Sequence, residues 1–255
     1  MLNLAAPVRW LFSRPLLQIA TINASRLGHR RSHWPLADKW EVVPARPPTF
    51  DGQTPLIDLP LLSLDTETTG LDPKSDRVIS LAAAPLLQGR LYLHQATNLL
   101  IKPACPIPPR TTAIHGITDH HVREADEFAG HAIRIENLLQ GFVLLGHNII
   151  FDALILQQEI GRLRHDWQSP PLLDTLLLYA TVQPHRHNFG LDAAARKLRI
   201  SLAGRHTALG DVLIALDLFY RLLPLLADRG IITLAQAQTA SKETLERLRD
   251  RHRRG

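Results

Sequence analysis

Cysteine and aromatic residues are scarce in this chain of 255 residues, and each shortage excludes a class of protein. Cys105 is the single cysteine, so the chain can form neither an intramolecular disulfide nor a zinc site built from thiolates. This cysteine usage predicts a reducing, cytoplasmic compartment. Aromatic residues make up 5% of the chain, which argues against a broad platform that stacks the bases of a single strand.

Acidic residues and long apolar runs are both missing from the beginning of the chain. Residues 1–37 hold five arginines and no acid, a bias that an organelle transit peptide would also show. Three prolines and the lack of an apolar run near twenty residues argue against a membrane span. We therefore expect residues 1–59 to be a basic extension that packs on the following domain and ends in a proline-rich linker. The net charge of +5 favours a polyanionic partner, because lysine and arginine neutralise phosphates.

Two acids follow the first apolar run, in the segment LLSLDTETTGLDP. Asp65 and Glu67 are two residues apart and therefore point to the same face of a strand. Two carboxylates at the end of a buried strand lose hydration and raise each other's pKa, so the pair indicates a bound cation. The alternative interpretation is a plain strand end, followed by a turn at Gly70 and Pro73.

A third acid lies in the first turn of a predicted helix. In the segment GFVLLGHNIIFDALILQQEIGRL, an apolar run leads to His147 and Asn148, and Asp152 follows four residues later. An acid near a helix N-terminus also interacts favourably with the helix dipole, so Asp152 by itself does not separate a functional role from a structural one.

A histidine and a fourth acid come from the segment GRHTALGDVLIALDLFYRLLPLL. Asp211 shares its helix face with Ala208 and Ala215, and small neighbours allow that face to approach a sheet closely. His206 precedes the helix on a loop that contains glycine. With thirteen histidines in the chain, a plain surface role for His206 is the alternative.

The order D-x-E, then H-N-x-x-F-D, then H-x4-D resembles the DEDDh superfamily of 3′ to 5′ exonucleases. That superfamily includes the proofreading epsilon subunit of bacterial DNA polymerase III and ribonuclease T. The stretch from Ile114 to Thr118 is similar to the H-G-I-T segment of these enzymes, and Asp174 with Thr175 is similar to their D-T dipeptide. We expect Asp174 to act mainly as a helix cap. The resemblance extends from about residue 60 to 225.

The resemblance implies roles for the charged residues. Two divalent cations would be bound by four acids, and a histidine would be the general base; these residues are Asp65, Glu67, Asp152, Asp211 and His206. Carboxylates without cysteine ligands suit Mg²⁺ or Mn²⁺. The resemblance also implies a pocket for the terminal nucleotide, lined by Thr68, Leu71, His115 and Phe151. For Leu71 and Phe151, packing in the core is the alternative.

Strand-then-helix order predicts an α/β fold. Strands are expected at about 61–66, 77–86, 90–101 and 142–147, and helices within 121–140 and at about 149–163, 174–182, 190–199 and 207–227. The resemblance implies a ribonuclease H-like mixed sheet flanked by helices, with the first strand central. We assign residues 60–228 to this domain and residues 229–255 to a C-terminal helical basic tail. Its last stretch, from Ser241 onward, is expected to be a short solvated helix, with phosphate contact as the alternative.

The expected activity is removal of nucleoside monophosphates from the 3′ end of a nucleic acid, with DNA favoured over RNA. An RNA-trimming enzyme of the same chemistry is one alternative, and a non-catalytic module that binds nucleic acid or a polymerase is the other. The presence of all five charged residues of the pattern disfavours the non-catalytic module. The expected partners are a nucleic acid with a free 3′ end and a DNA polymerase, without a membrane.

Overall fold

A computed structural model describes residues 33–163 and 167–254, with only the backbone of His252 and Arg254. Most of the arginine-rich extension, residues 1–32, lies outside the described residues. The fold is an α/β fold of the ribonuclease H-like type, as expected, with a mixed sheet between two layers of helices.

Six strands form the sheet in the described part of the chain: β1 (Leu61–Thr68), β2 (Val78–Leu87), β3 (Arg90–Leu91), β4 (Thr97–Leu100), β5 (Val143–Gly146) and β6 (Leu172–Asp174). Their order is β3-β2-β1-β5-β6, with β4 also paired to β2. β1 runs antiparallel to β2 and parallel to β5, which confirms that the first strand is central. The single strand expected at 90–101 is wrong, because a 3-10 turn at Leu93–Gln95 divides it into β3 and β4.

Eight α-helices follow or connect these strands within the described residues: α1 (Pro109–His115), α2 (Asp119–Val122), α3 (Phe128–Leu139), α4 (Ile149–Arg162), α5 (Thr175–Val182), α6 (Leu191–Lys197), α7 (Ala208–Ala227) and α8 (Leu234–Arg254). The short helices α1 and α2 and the strand β6 were not predicted, since each is too short to show a hydrophobic period. None of the described helices is long and apolar enough to cross a membrane.

The two faces of β1 lie against different helices. Leu61 belongs to a core that contains residues of α5, α6, α7 and α8, whereas Leu62 and Leu64 belong to a core with residues of α3 and α4. Side chains alternate along a strand, so the odd-numbered residues of β1 face α7. The hydroxyl of Ser63 confirms this direction, because it donates to the carbonyl oxygen of Val212 at 3.1 Å. This alternation places the later acids of β1 toward the start of α7.

Both ends of the described chain pack on the sheet domain. The indole of Trp34 is buried and donates to the carbonyl oxygen of Leu216 at 2.9 Å, and Leu36 forms a parallel bridge to Leu91 at the sheet edge. α8 begins at Leu234, earlier than the expected helix from Ser241.

The basic face of α8 is only partly solvated. Arg247 donates to the carbonyl oxygen of Ala180 at 3.0 Å, and Arg251 donates to that of Pro184 at 2.9 Å. These contacts attach α8 to α5 and the turn that follows it, so two of the tail's arginines are engaged by the domain itself.

Candidate active site

Three carboxylates meet where the end of β1 approaches the start of α7. Asp65 and Glu67 lie opposite Ala82 and Ser80 of β2, and both are partly buried. Asp211 is buried in the first turn of α7. One oxygen atom from each of Asp65, Glu67 and Asp211 lies within 4.8 Å of the other two. We call these three residues the acidic cluster.

Asp152 approaches from the other face of β1. Its Oδ1 atom accepts hydrogen bonds from the backbone N–H of Thr66 at 2.9 Å and from the Thr66 hydroxyl at 2.7 Å. Thr66 is an even-numbered residue of β1, so its side chain lies on the face toward α4, where Asp152 is. The side chain of Asp65 lies on the opposite face, toward α7. The charge of Asp152 nevertheless reaches the acidic cluster, because it raises the pKa of Asp65.

Burial and mutual repulsion shift the titration of all four acids. Burial, followed by the charges of Asp152, Asp211 and Glu67, raises the pKa of Asp65 well above its usual value. Burial and the charge of Asp211 raise the pKa of Glu67 to about 7, and burial raises that of Asp152 to about 7 despite the hydrogen bonds from Thr66. Burial also raises the pKa of Asp211, an effect that the charge of Arg205 opposes. A nearby cation would compensate this repulsion and lower the pKa values of the four acids.

His206 lies beside the acidic cluster, on the loop that precedes α7. The residue is exposed and has a left-handed backbone with φ of 66°. His206 lies close enough to Asp211 to lower the pKa of that carboxyl, against the larger effect of burial. The histidine therefore stands next to a carboxylate of the acidic cluster but faces solvent.

The loop that carries His206 is folded tightly onto the first turn of α7. The carbonyl oxygen of Gly204 accepts from the Thr207 backbone at 3.1 Å and from its hydroxyl at 2.7 Å. Thr207 in turn caps α7, accepting from the N–H of Gly210 at 3.1 Å. A Cβ atom at Gly210 would lie 1.7 Å from the Gly204 oxygen, so only glycine fits there.

Two charged residues that the sequence analysis missed belong to this site. Nη1 of Arg205 donates to Oδ2 of Asp211 at 2.5 Å, and its Nε donates to Oδ1 of Asp192 at 2.5 Å. Arg205 directly precedes His206, and Asp192 lies in the first turn of α6. The adjacency of Arg205 to the histidine was the available signal, whereas nothing in the sequence connects Asp192 to the site.

Asp174 and Thr175 stabilise the turn between β5 and α4 by hydrogen bonds. Oδ1 of Asp174 accepts from the N–H groups of Leu176 and Asn148, each at 2.9 Å, which confirms its role as a helix cap. The hydroxyl of Thr175 donates to the Gly146 carbonyl and contacts Nδ1 of His147, each at 3.0 Å. These bonds hold the H-N dipeptide in place ahead of Asp152.

The structure distinguishes among the residues expected to line a nucleotide pocket. Leu71 is 86% exposed, so the alternative that it packs in the core is wrong. Phe151 is partly buried and does pack against the core between the sheet and α4. Thr68 is buried at the end of β1, and its hydroxyl donates to the Gly70 carbonyl at 2.6 Å.

The two ring nitrogens of His115 have different surroundings. Nδ1 accepts from the N–H of Ile117 at 3.0 Å, which leaves the proton of the neutral ring on Nε2. Nε2 is buried and finds no hydrogen-bond partner among the residues that the structure describes. Burial lowers the pKa of His115, an effect that the Thr68 backbone partly offsets. A neutral ring with an unused donor beside β1 is suited to contact a substrate.

The acidic cluster fits an oxygen-seeking cation. Oδ1 of Asp211 is buried and has no hydrogen-bond partner within residues 33–163 and 167–254, which is costly unless something occupies that position. The three carboxylates lie close enough to bind one ion together, and the raised pKa values show that their charges lack full compensation. Mg²⁺ and Mn²⁺ prefer such oxygen ligands.

Solved structures of nucleases share the fold. Exonuclease I from E. coli, in complex with a dT13 oligonucleotide, superposes with a TM-score of 0.57 at 24% sequence identity, over 66% of this chain and 42% of that one. Exonuclease X, in complex with duplex DNA that has a 5′ overhang, superposes with a TM-score of 0.55 at 20% identity, over 71% of this chain and 99% of that one.

Sequence relatives include proteins named for DNA polymerase III. The DNA polymerase III subunit epsilon-like protein of Rhodobacter capsulatus is 36% identical over 201 residues, which are 78% of this chain and 28% of that protein. The PolC-type DNA polymerase III of Thermotoga petrophila is 29% identical over 184 residues, which are 72% of this chain and 13% of that protein. The chain thus spans about a quarter or less of these relatives. The sequence pattern of the exonuclease family matches residues 62–219, more than half of the chain and all of the acidic cluster, so the protein belongs to the exonuclease family.

Proposed function

We propose that the protein is a metal-dependent 3′ to 5′ exonuclease that releases nucleoside monophosphates from DNA. The observation that carries the proposal is the meeting of Asp65, Glu67 and Asp211, from separate elements, at one partly buried place beside His206. Charges that repel one another in this way are costly to the fold, and a site that retains them at such cost is a candidate for catalysis.

Two divalent cations, Mg²⁺ or Mn²⁺, would be held by Asp65, Glu67 and Asp211, with Asp152 as the fourth ligand. When bound, the ions would favour ionisation of an attacking water and stabilise charge on the leaving 3′ oxygen. His206 would accept the proton of that water, because an exposed imidazole beside the acidic cluster can both reach the water and return the proton to solvent.

The end of β1 would separate the terminal nucleotide from the rest of the strand. The exposed Leu71 side chain would act as a wedge against a base, and the unpaired Nε2–H of His115 would donate to the sugar or phosphate. Backbone near Thr68 and one edge of Phe151 would complete the pocket. Few aromatic residues are needed for a pocket of this size.

DNA is favoured as substrate over RNA by the names of the proteins to which the chain is similar. Two sequence relatives are DNA polymerase III proteins, and the nuclease structures that share its fold hold DNA. We also propose that the partner of the protein is a DNA polymerase, whose misincorporated 3′ ends it would remove.

The test is a gel assay on matched single-stranded DNA and RNA, labelled at the 3′ or the 5′ end. We expect the wild-type protein with Mg²⁺ or Mn²⁺ to shorten DNA stepwise from the 3′ end and EDTA to stop the reaction. Asp65→Ala removes a ligand and should abolish cleavage. The matched control is Asp228→Ala, which removes an exposed acid after α7 and should cleave as wild type does.

Retained cleavage by Asp65→Ala would refute the site assignment. Faster shortening of RNA than of DNA would change the substrate to RNA. Binding of the strand by the wild-type protein without cleavage in either metal would replace the enzyme with a non-catalytic module.

A further inference from the structure

Arg205 joins the acidic cluster to a helix that contributes no cluster residue. Its Nη1 atom contacts Oδ2 of Asp211, and its Nε atom contacts Oδ1 of Asp192 on α6, each at 2.5 Å. The guanidinium is planar and rigid, so its two donors cannot be aimed independently. Fixing Nε on Asp192 therefore fixes where Nη1 meets Asp211.

The two oxygens of Asp211 have different surroundings. Oδ2 is taken by Arg205, whereas Oδ1 is buried and, in the described part of the chain, has no hydrogen-bond partner. A carboxylate held through one oxygen cannot rotate freely, so the contact with Arg205 determines the direction of the free oxygen. Asp211 also belongs to the acidic cluster, in which each residue offers an oxygen to a common ion.

The same contact restrains His206. Arg205 directly precedes His206 in the chain, and the carbonyl oxygen of Thr207, which directly follows His206, accepts from the backbone N–H of Asp211 at 2.9 Å. Arg205 and Asp211 lie at the two ends of the short segment that carries the histidine, so the ion pair between them closes this segment. The contact of Arg205 with Asp192 anchors the segment to α6.

We propose that Arg205, anchored by Asp192, is a positioning residue that aims Asp211 at the divalent cations and holds His206 beside them. The proposal rests on the proposed function and adds to it two residues outside the ligand set. Neither residue needs to touch the nucleic acid to affect its cleavage.

A plain counter-ion is the competing explanation for Arg205, and it predicts the opposite effect on metal binding. Removing a positive charge beside carboxylates would strengthen their attraction for Mn²⁺. In this site, Asp192 pairs with the guanidinium and offsets part of its charge, which limits the electrostatic gain from its removal, although the remaining charge still lowers the pKa of Asp211. Loss of a residue that orients a metal ligand typically weakens metal binding by about 10- to 100-fold. We therefore expect the loss of Mn²⁺ affinity from a misoriented Asp211 to exceed the gain from removal of the positive charge.

The experiment is a calorimetric titration of the full chain with Mn²⁺ alone, without substrate. Arg205→Gln and Asp192→Ala should each weaken Mn²⁺ binding by about tenfold or more. The matched control is Arg196→Gln, because Arg196 also pairs with Asp192, at 3.3 Å, but is 70% exposed and does not contact Asp211. Its Mn²⁺ affinity should remain within about twofold of wild type.

Cleavage kinetics provide the second measurement. For both variants, the Mn²⁺ concentration that gives half-maximal cleavage should rise in parallel with the dissociation constant, while KM for the oligonucleotide stays within about twofold. A residue that served only the stability of the fold would change the melting temperature without this parallel shift. If Arg205→Gln does not fold, Arg205→Lys decides the question, because it keeps the positive charge but loses the planar pair of donors: weaker Mn²⁺ binding supports orientation, and unchanged binding overturns the inference.

Unchanged or tighter Mn²⁺ binding by folded Arg205→Gln would overturn the inference, as would a wild-type protein that binds no Mn²⁺. A wild-type protein that cleaves DNA while its variants bind Mn²⁺ normally would overturn the inference and leave the proposed function standing. If the variants bind Mn²⁺ more weakly than the wild-type protein does, but the wild-type protein never cleaves DNA, the inference stands and the proposed function is overturned.

Discussion

Asp152→Asn should inactivate the protein and make its metal-free form more stable. The substitution keeps the shape of the side chain, and an amide oxygen can still accept the two hydrogen bonds that Thr66 donates, at 2.9 and 2.7 Å. What it removes is a charge that burial disfavours, which raises the pKa of Asp152 from 3.8 to about 7.

The size of the gain follows from that pKa. At about 1.4 kcal/mol per pH unit, the rise corresponds to a cost on the order of 4 kcal/mol once the carboxyl is ionised in the folded protein. Asparagine is itself polar, so its burial retains part of that desolvation cost in the variant. We therefore expect the free energy of unfolding to increase by about 1–3 kcal/mol, or roughly 2–4 °C of melting temperature for each kcal/mol.

The gain should depend on pH with a definite sign. The folded protein holds this proton up to about pH 7, whereas the unfolded chain loses it near the ordinary value of 3.8. The folded state thus binds more protons between these values, and wild-type stability decreases as the pH rises through them. The advantage of Asp152→Asn is therefore largest at pH 8 and smaller at pH 5.

Thermal unfolding by circular dichroism, in EDTA at pH 5 and pH 8, measures both quantities. Adding Mg²⁺ should stabilise the wild-type protein more than the variant, because the variant lacks a charged ligand. Asp72→Asn is the control: the Ser75 hydroxyl lowers the pKa of this exposed acid, so its replacement should show no gain that grows with pH. An Asp152→Asn protein that melts at or below wild type at pH 8 in EDTA would refute the reasoning.

Two further predictions concern the loop before α7. His206→Ala should slow cleavage by about 10²- to 10⁴-fold, with partial recovery at higher pH where hydroxide is more available, and a pH–rate profile of kcat measures both; an unchanged rate would remove the histidine from the reaction. Gly210→Ala should displace the loop, because its Cβ would lie 1.7 Å from the Gly204 oxygen, and reduce cleavage by up to about 100-fold. Gly161→Ala, where no atom lies within 4 Å of the new Cβ, is the matched control and should melt slightly higher than wild type with full activity.

Local patterns predicted the long elements well. The apolar run before Asp65 is the central strand, and the periodic stretch after His206 is the long helix α7. Both have enough residues for the hydrophobic period to be visible. The stretch at 90–101 was predicted as one strand, but a 3-10 turn that includes polar residues interrupts it. β3 and β4 have only two and four residues, so neither shows enough hydrophobic alternation for the sequence to reveal two strands in place of one.

The charged residues of the candidate site were also named from sequence, since their spacing resembles a family pattern. Arg205 and Asp192 were not, because the interaction joins side chains thirteen positions apart whose proximity depends on how α6 and α7 pack. The exposure of Leu71 was equally hidden, since a leucine beside a turn is compatible with a core or a surface position.

Residue order alone determined the family, the α/β class and the identity of the acids, because each of these depends on residue types at short, regular spacing. Only the tertiary structure decided that Asp65, Glu67 and Asp211 share one place while Asp152 reaches it through Thr66 from the opposite face of β1. It also decided that Arg205 holds one oxygen of Asp211, while the other has no partner among the described residues. Burial, repulsion and the direction of a side chain are properties of neighbours in space, and a sheet packed between two layers of helices makes neighbours of residues that the chain keeps far apart.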